Sequence, residues 1–570
     1  MPPSATPPPA LPAAGRVDWH IEPAWRGGLL EEGRLPLARW LREGRACVVK
    51  DGPHRTVYRV DLPAQSLYVK HYRCRRWLRI VRHLFRASSS RREWRSTREV
   101  ARRNVPTVEL VAWGEERRAG LPADSYFVTA ALPDSVPLDR YLDEELPRLA
   151  PPLCAAARRQ LIGALAKFAA AAHAAGVDHD DFHTGNLLVQ TTSASGAATT
   201  TPRLFLIDLP GVRLSGPLNW RRTRCSLATL YATLLRRSTD RERWRFWREY
   251  LRLRGDLRLG HPRGAALDVA RRGRRHLLRV LRGRDDRALR VNRDVQRLSG
   301  PAGTAYATHD IAAADLRVLL ADPAALLRRG RHSPVKLSHR SAIVAVPIPG
   351  TQGPLPAAFK RWRETSLRKR LLARFRRSRA LTAWRLGHAL SNRGIATARP
   401  LAVIEPSGGS ESYLATDWIA GAENLHEFCW RIAALPERQR TRRARQATAA
   451  LGGLVGRLHA WQIGHRDLKG CNLVLVEKDD GVAAWLVDLE GVQIRRRLLP
   501  RQQARDLARL ATSLDLHPWI TRGDRRRFLR AYMAEFPRTE CVFDARTLWR
   551  AVAPLSRRLT ARLQLRGGVA

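Results

Sequence analysis

Apolar and polar positions alternate through SLYVKHYR, which ends its strand-like run near Lys70, and the shorter AAFKRWR around Lys360 has the same β-like pattern. Further strands are predicted from VPTVELVAWG, starting at Val105, and from IATARPLAVIE, starting at Ile395. The period then lengthens. Residues 165–189, LAKFAAAAHAAGVDHDDFHTGNLLV, and 451–475, LGGLVGRLHAWQIGHRDLKGCNLVL, each predict an apolar helix followed by a polar hairpin. Downstream, the apolar runs LFLIDLPGV and AWLVDLEGV predict a strand ending in Asp208 and in Asp488. DRERWRFWREYLRL and DRRRFLRAYMAEF place aromatic and aliphatic residues at helical spacing, and their Trp, Phe and Tyr residues are expected in the core.

These segments form a repeat, the strongest organising signal in the chain. His173 precedes Asp181 by eight residues, as His459 precedes Asp467. Lys70 and Lys360 are 290 apart, and each is followed 35 residues later by the next strand. Only eight lysines occur in the chain, so this match is hard to attribute to chance. The first copy carries an insert, TTSASGAATTTPR, which reads as a lengthened hairpin loop. The expected fold class is α+β, with two tandem domains, each a small β-rich N-lobe and a mainly helical C-lobe. Boundaries follow at 40–295 and 330–560, with 296–329 joining them, 1–39 a Pro/Ala-rich leader and extension, and 561–570 a tail.

Length and composition agree with two globular domains: 570 residues, 44% apolar and 27% charged, with 17 Trp. Net charge is +50 and almost all of it is Arg. Guanidinium suits phosphate or anionic lipid, but the Arg is spread along the chain instead of gathered in a tail, which solvated faces also explain. No recognition motif accompanies the charge, so no specific nucleic-acid partner is expected. The seven cysteines form no C-x-x-C pair, which predicts neither zinc site nor disulfide framework and fits a reducing cytoplasm. The start lacks a secretory pattern, and no apolar run is long enough to span a bilayer. Any membrane contact is expected to be peripheral. Oligomeric state is not legible.

Phosphoryl transfer from ATP needs a cation on the phosphates, oxygen ligands for Mg²⁺ and a carboxylate facing the acceptor hydroxyl. Each half supplies that set. Asp181 in HDDFHTGN and Asp467 in HRDLKGCN are the candidate carboxylates. Asn186 and Asn472, with Asp208 and Asp488, are the candidate Mg²⁺ ligands, their hard oxygens suiting that ion. Lys70 and Lys360 are the candidate phosphate-holding lysines. Lys469, two past Asp467, is placed to neutralise the moving phosphoryl group; the first half has His183 there.

This assembly resembles the protein-kinase-like fold, and HRDLKGCN matches the kinase catalytic loop H-R-D-L-x-x-x-N. The resemblance implies a helix Glu that holds the lysine. Glu93 fills that place for Lys70, with Glu99 as an alternative, whereas the matching residue for Lys360 is Ala383 and Glu364 is one substitute. No G-x-G-x-x-G precedes either lysine; Arg55 and Arg340 fall at corresponding places in the preceding hairpins, either as phosphate contacts or as residues of a solvated turn. His173 and His459, inside apolar helices, read as core histidines. Asp506 is the kind of helix acid that braces a kinase catalytic loop, and the first half has Ser226 instead.

No long activation segment ending in A-P-E is visible, which favours a small or carbohydrate hydroxyl over a peptide. The SLYVKHY strand, the REW and AW helices, GIATARPLA, LHAWQIGHRDLKGCNLVLV and RDLARL together resemble the bacterial lipopolysaccharide core kinase family. That resemblance covers most of 45–250 and 335–535. It implies ATP, Mg²⁺ and an anionic, lipid-linked heptose or 3-deoxy-manno-octulosonic acid (Kdo) acceptor at the cytoplasmic face of the inner membrane. Two other readings stay open: a Ser/Thr protein kinase or aminoglycoside-type phosphotransferase, and a non-catalytic pseudokinase pair serving as a binding module.

Overall fold

In each half the strands around the lysine assemble into one large antiparallel sheet, while the strands ahead of Asp208 and Asp488 lie in separate three-stranded sheets. In the computed structural model, which describes residues 16–52, 54–74, 87–118, 121–192, 201–330, 334–338, 341–364, 377–479, 481–536 and 544–565, the chain divides into compact units at Leu277/Leu278. The first sheet runs, in spatial order, Arg16–Ile21, Leu110–Arg118, Leu121–Ala130, Ser66–Tyr72, Arg55–Asp61, Ala46–Asp51. The second runs Val295–Gly300, Gly303–Thr308, Pro400–Pro406, Glu411–Asp417, Leu355–Arg363, Ser341–Ile348, Pro334–Leu337. From Gly303–Thr308 onward it repeats the first sheet strand for strand. Lys70 lies opposite Phe127 and Lys360 opposite Leu414 in equivalent registers.

This strand order moves the boundaries expected from the motifs. Arg16–Ile21, assigned to the leader, pairs along Leu110–Arg118, because alternating RVDWHI has an apolar side to bury. The stretch 296–329 is not a linker: most of two strands and two whole helices, Ala313–Ala321 and Ala324–Arg329, lie there. Their Leu316, Leu319, Leu320 and Leu326 pack in the second N-lobe core with Val344 and Phe359. The helix Ala545–Leu565 likewise runs into the expected tail.

Below each sheet lies a helical lobe with its own core. Its centre is a long helix, Pro151–Ala174 in the first half and Glu437–Ala460 in the second. The tail helices Asp240–Leu253 and Arg522–Ala534 pack against these two. Each tail helix opens on a capping box, Thr239 with Glu242 and Thr521 with Asp524, which satisfies N-terminal amides that no helical carbonyl reaches. Trp247, Tyr250 and Tyr532 are buried as expected, but Trp244 is 41% exposed because it falls on the outer face. The insert expands a hairpin in which Leu187–Thr192 pairs with Thr201–Leu206, its tip lying outside the described residues. Cys47, Cys154, Cys225, Cys429 and Cys471 are free thiols, and Cys541 lies outside the described residues. Among the described residues no helix is long and apolar enough to cross a membrane.

The N-lobe helices, Ser89–Arg102 and Arg379–Asn392, each start on a serine cap, Ser88 and Ser378. Their C-terminal ends are anchored differently. Arg103 donates to the carbonyls of Ala175 and Ser215 at 2.8 and 2.6 Å. Arg393, fully buried, instead grips Asp285 with both guanidinium branches, at 2.9 and 2.8 Å.

Candidate active site

Each lysine sits on a central strand of its sheet and each aspartate on the loop leaving a C-lobe strand, so their meeting measures whether the two lobes form a cleft. In the first half Lys70 Nζ lies 3.2 Å from Asp208 Oδ1 and 2.5 Å from Glu93 Oε1. Glu93 is 1% exposed on the inner face of the N-lobe helix, and its other oxygen accepts from the Tyr72 hydroxyl. Glu99, the alternative, pairs with Arg103 instead. Arg55, read as a phosphate contact or a solvated turn residue, donates to Asp208 Oδ1 at 2.7 Å. Burial alone would raise the Asp208 carboxyl; the charges and hydrogen bonds of Lys70 and Arg55 outweigh it and hold this group well below the usual carboxylate range.

In the second half Lys360 Nζ lies 2.8 Å from Asp488 Oδ1. Ala383 leaves the helix without an acid, and Glu364 does not replace it: Glu364 pairs with Arg379 at 3.2 Å. The second carboxylate is Glu490, 3.0 Å from Lys360 Nζ and accepting from Trp362 Nε1 at 2.5 Å. The sequence reading missed it. The signal was present, since DLEGV carries an acid where DLPGV has Pro210, in the half that lost its helix acid. Arg340 lies outside the described residues.

The polar loops superpose in their bonding. The backbone N–H of Asp181 donates to His179 Nδ1 at 3.0 Å, which leaves the proton on Nε2 to donate to the Asp208 carbonyl at 3.0 Å. His465 makes the same pair of bonds to Asp467 and Asp488, both at 3.2 Å. Burial lowers both rings below the ordinary histidine value, so they are neutral braces tying the two loops together. Gly491 gives the His465 ring room, because a Cβ there would lie 2.7 Å from it. Asp208 and Asp488 both adopt left-handed backbone, at φ 62° and 56°, a conformation Asp tolerates better than most residues and one that clusters at functional sites. Asn186 and Asn472 donate their amide nitrogens to the Asp181 and Asp467 carbonyls at 3.0 and 2.8 Å. The amide oxygen is therefore the atom suited to bind a cation.

Asp181 and Asp467 are themselves exposed. Lys469 Nζ is 3.0 Å from Asp467 Oδ2; burial works against its charge, and Asp467 more than offsets this, so its ammonium is held above its ordinary value. His183 turns to its own loop, accepting from Gly185 N–H at 3.0 Å. Asp506 Oδ2 accepts from His465 N–H at 2.8 Å, whereas the Ser226 hydroxyl meets His173 Nε2 at 2.9 Å and leaves this brace out of the first half. His173 and His459 are buried, each bonded through Nδ1 to a tyrosine hydroxyl at 2.8 Å.

Among the described residues no three His, Cys, Asp or Glu side chains cluster as a closed metal nest. An Asp and an Asn amide oxygen per half fit Mg²⁺, which takes one or two carboxylates and completes its shell with water and substrate phosphate. Soon after each Asp, a short strand and then a helix follow, Val212–Leu214 with Trp220–Leu234 and Val492–Ile494 with Pro500–Ser513.

The lipopolysaccharide kinase (Kdo/WaaP) family model matches residues 39–250 and again 359–532. The lipopolysaccharide core heptose(I) kinase WaaP of Pseudomonas aeruginosa is 30% identical over 205 residues, 35% of this chain and 74% of that protein. A solved structure described as WaaP in complex with acyl carrier protein is 26% identical and covers 45% of this chain and 98% of its own, with a TM-score of 0.33. Two family regions spanning most of the chain, each with its own lysine, aspartate and polar loop, make this an α+β kinase of doubled architecture. The chain belongs to the lipopolysaccharide kinase (Kdo/WaaP) family.

Proposed function

We propose that the chain transfers the γ-phosphoryl group of ATP to a sugar hydroxyl of a lipopolysaccharide-core or similar glycolipid, and that both halves bind nucleotide. One observation carries this reading: in each half the strand lysine reaches across to its own loop aspartate, Lys70 to Asp208 at 3.2 Å and Lys360 to Asp488 at 2.8 Å. Lys70, held by Glu93, and Lys360 bind the nucleotide phosphates. Asp181 and Asp467 orient the acceptor hydroxyl and take its proton, which their exposure permits. Lys469 offsets the charge on the transferring group in the second half. Asn186 with Asp208, and Asn472 with Asp488, hold Mg²⁺, which when bound neutralises phosphate oxygens. Arg55 then exchanges Asp208 for a phosphate oxygen.

The short path from each loop aspartate to the following helix supports a compact carbohydrate acceptor over an extended peptide. A lipid-linked acceptor makes the enzyme a peripheral visitor to the cytoplasmic face of the inner membrane. Incubating the chain with labelled ATP and, separately, lipopolysaccharide core, peptide and aminoglycoside tests this. Label is expected in the core sugar alone, and lost when Asp181→Asn and Asp467→Asn are combined. Label in the peptide or aminoglycoside, or undiminished transfer by the double variant, overturns it.

A further inference from the structure

We infer that Glu490 is the positioning residue for Lys360, doing in the second half what Glu93 does in the first, so that the second nucleotide site takes its lysine clamp from the metal-side loop instead of the N-lobe helix. The inference rests on the two-site reading above and deepens it.

The geometry is matched group for group. Lys70 has one carboxylate from the loop, Asp208, and one from the helix, Glu93. Lys360 has Asp488 and Glu490, both from the loop. The aromatic residue two past each lysine donates to the same acid: Tyr72 through its hydroxyl to Glu93, Trp362 through Nε1 to Glu490. Lys360 Nζ also lies 4.5 Å from the centre of the Trp362 ring, so indole and carboxylate hold the ammonium together. Where the first half has Glu93 the second has buried Ala383, and where the second has Glu490 the first has Pro210, which cannot pair with a cation. One carboxylate has been lost and one gained around the same lysine.

The two clamps couple to different moving parts. Glu93 rides on Ser89–Arg102, so displacing that helix would release Lys70. Glu490 sits two residues past Asp488, and its contact with the second N-lobe helix is through Arg379, at 3.8 Å. The Lys360–Glu490 pair itself includes no residue of that helix, so the helix can affect it only through Arg379 or by moving the loop it packs against.

The test uses the full chain with the first site silenced by Lys70→Met, titrated with MgATP while thermal unfolding is followed alongside. Glu490→Gln keeps an acceptor for Trp362 but removes the charge, and is expected to weaken MgATP binding about tenfold with an unchanged melting midpoint. Installing the first half's arrangement, Trp362→Tyr with Ala383→Glu and Glu490→Pro, is expected to restore affinity, whereas Trp362→Tyr with Glu490→Pro stays weak. A merely structural Glu490 would not be rescued by an acid on another element. Should the triple variant not fold, the reciprocal pair in a Lys360→Met chain decides: Pro210→Glu is expected to recover binding lost in Glu93→Ala. Unchanged affinity in Glu490→Gln, or no recovery by Pro210→Glu, overturns the assignment of Glu490 alone. A Lys70→Met chain that binds no MgATP overturns it together with the two-site reading.

Discussion

In the first half the carboxylate that steadies the lysine comes from a helix, and the catalytic loop lacks its helix brace; in the second half both arrangements are reversed. Lys70 leans on Glu93 and Lys360 on Glu490. Asp506 braces His465, while the first half pairs Ser226 with His173 and carries its acid at Asp178, where the second has Gly464. A Cβ on Gly464 would lie 3.1 Å from Asp506 Oδ2, so the larger residue at one position goes with the smaller at the other. Charge is kept near the lysine and near the loop, although the position supplying it changes. An electrostatic requirement fixes where a carboxylate must be in space, and several backbone positions can reach it.

The strongest way to break the comparison is to remove the proposed proton-accepting acid from one half at a time. Asp467→Asn is expected to lower turnover by the second site about 10³-fold, and Asp181→Asn that of the first, each measured with the other site silenced at its lysine. Equal total activity in Asp181→Asn and the parent would make the first half a binding module. Next in size is the anchor of the second N-lobe helix. Asp285→Ala leaves Arg393 buried without a counter-charge and should destabilise the second half by about 3 kcal/mol in urea unfolding. Arg103→Ala, which removes two bonds to carbonyls and the partly exposed pair with Glu99 but strands no buried charge, should cost about half as much.

Acid should separate the halves further. Burial, assisted by the charge of Arg254, pushes the His173 ring down to about 3. The unfolded chain binds that proton more readily, so the stability His173 confers is full above about pH 6.5 and is lost as pH falls toward 3, about 2 kcal/mol by pH 5. Protection of the Pro151–Ala174 amides against hydrogen exchange, taken relative to the intrinsic rate at each pH, should fall between pH 7.5 and 5, and Ser226→Asp, which supplies the ring with an acid, should blunt the change. The smallest expected effect is at the loop cation: Lys469→His should slow the second site about tenfold, and His183→Lys should speed the first by a similar factor.

Much of this was legible before any coordinates. The repeat, the lysine pair and both H-x-D loops follow from spacing, the loops because bonding within a short turn leaves little freedom in where their residues fall, whereas Glu93 follows from the resemblance to kinases. Glu490 is not legible in this way, because a carboxylate supplied from the far side of the cleft follows no local spacing from the helix position it replaces. The neutral histidine braces were recognised only as part of a motif; their proton placement depends on carbonyls that tertiary structure delivers. The outer strands escaped for a related reason. RVDWHI and GTAYAT carry no chemistry to align, and their burial depends on the neighbouring strands Leu110–Arg118 and Pro400–Pro406.

Those outer strands decide how the molecule can be cut. A fragment started at residue 330, where the recognisable motifs resume, would strip Gly303–Thr308 from Pro400–Pro406 and discard Asp285 as well. The bared ladder of amides and carbonyls is a template for pairing with other copies, so such a fragment should aggregate on expression. Anyone wanting the second kinase-like half by itself should begin upstream of Leu278.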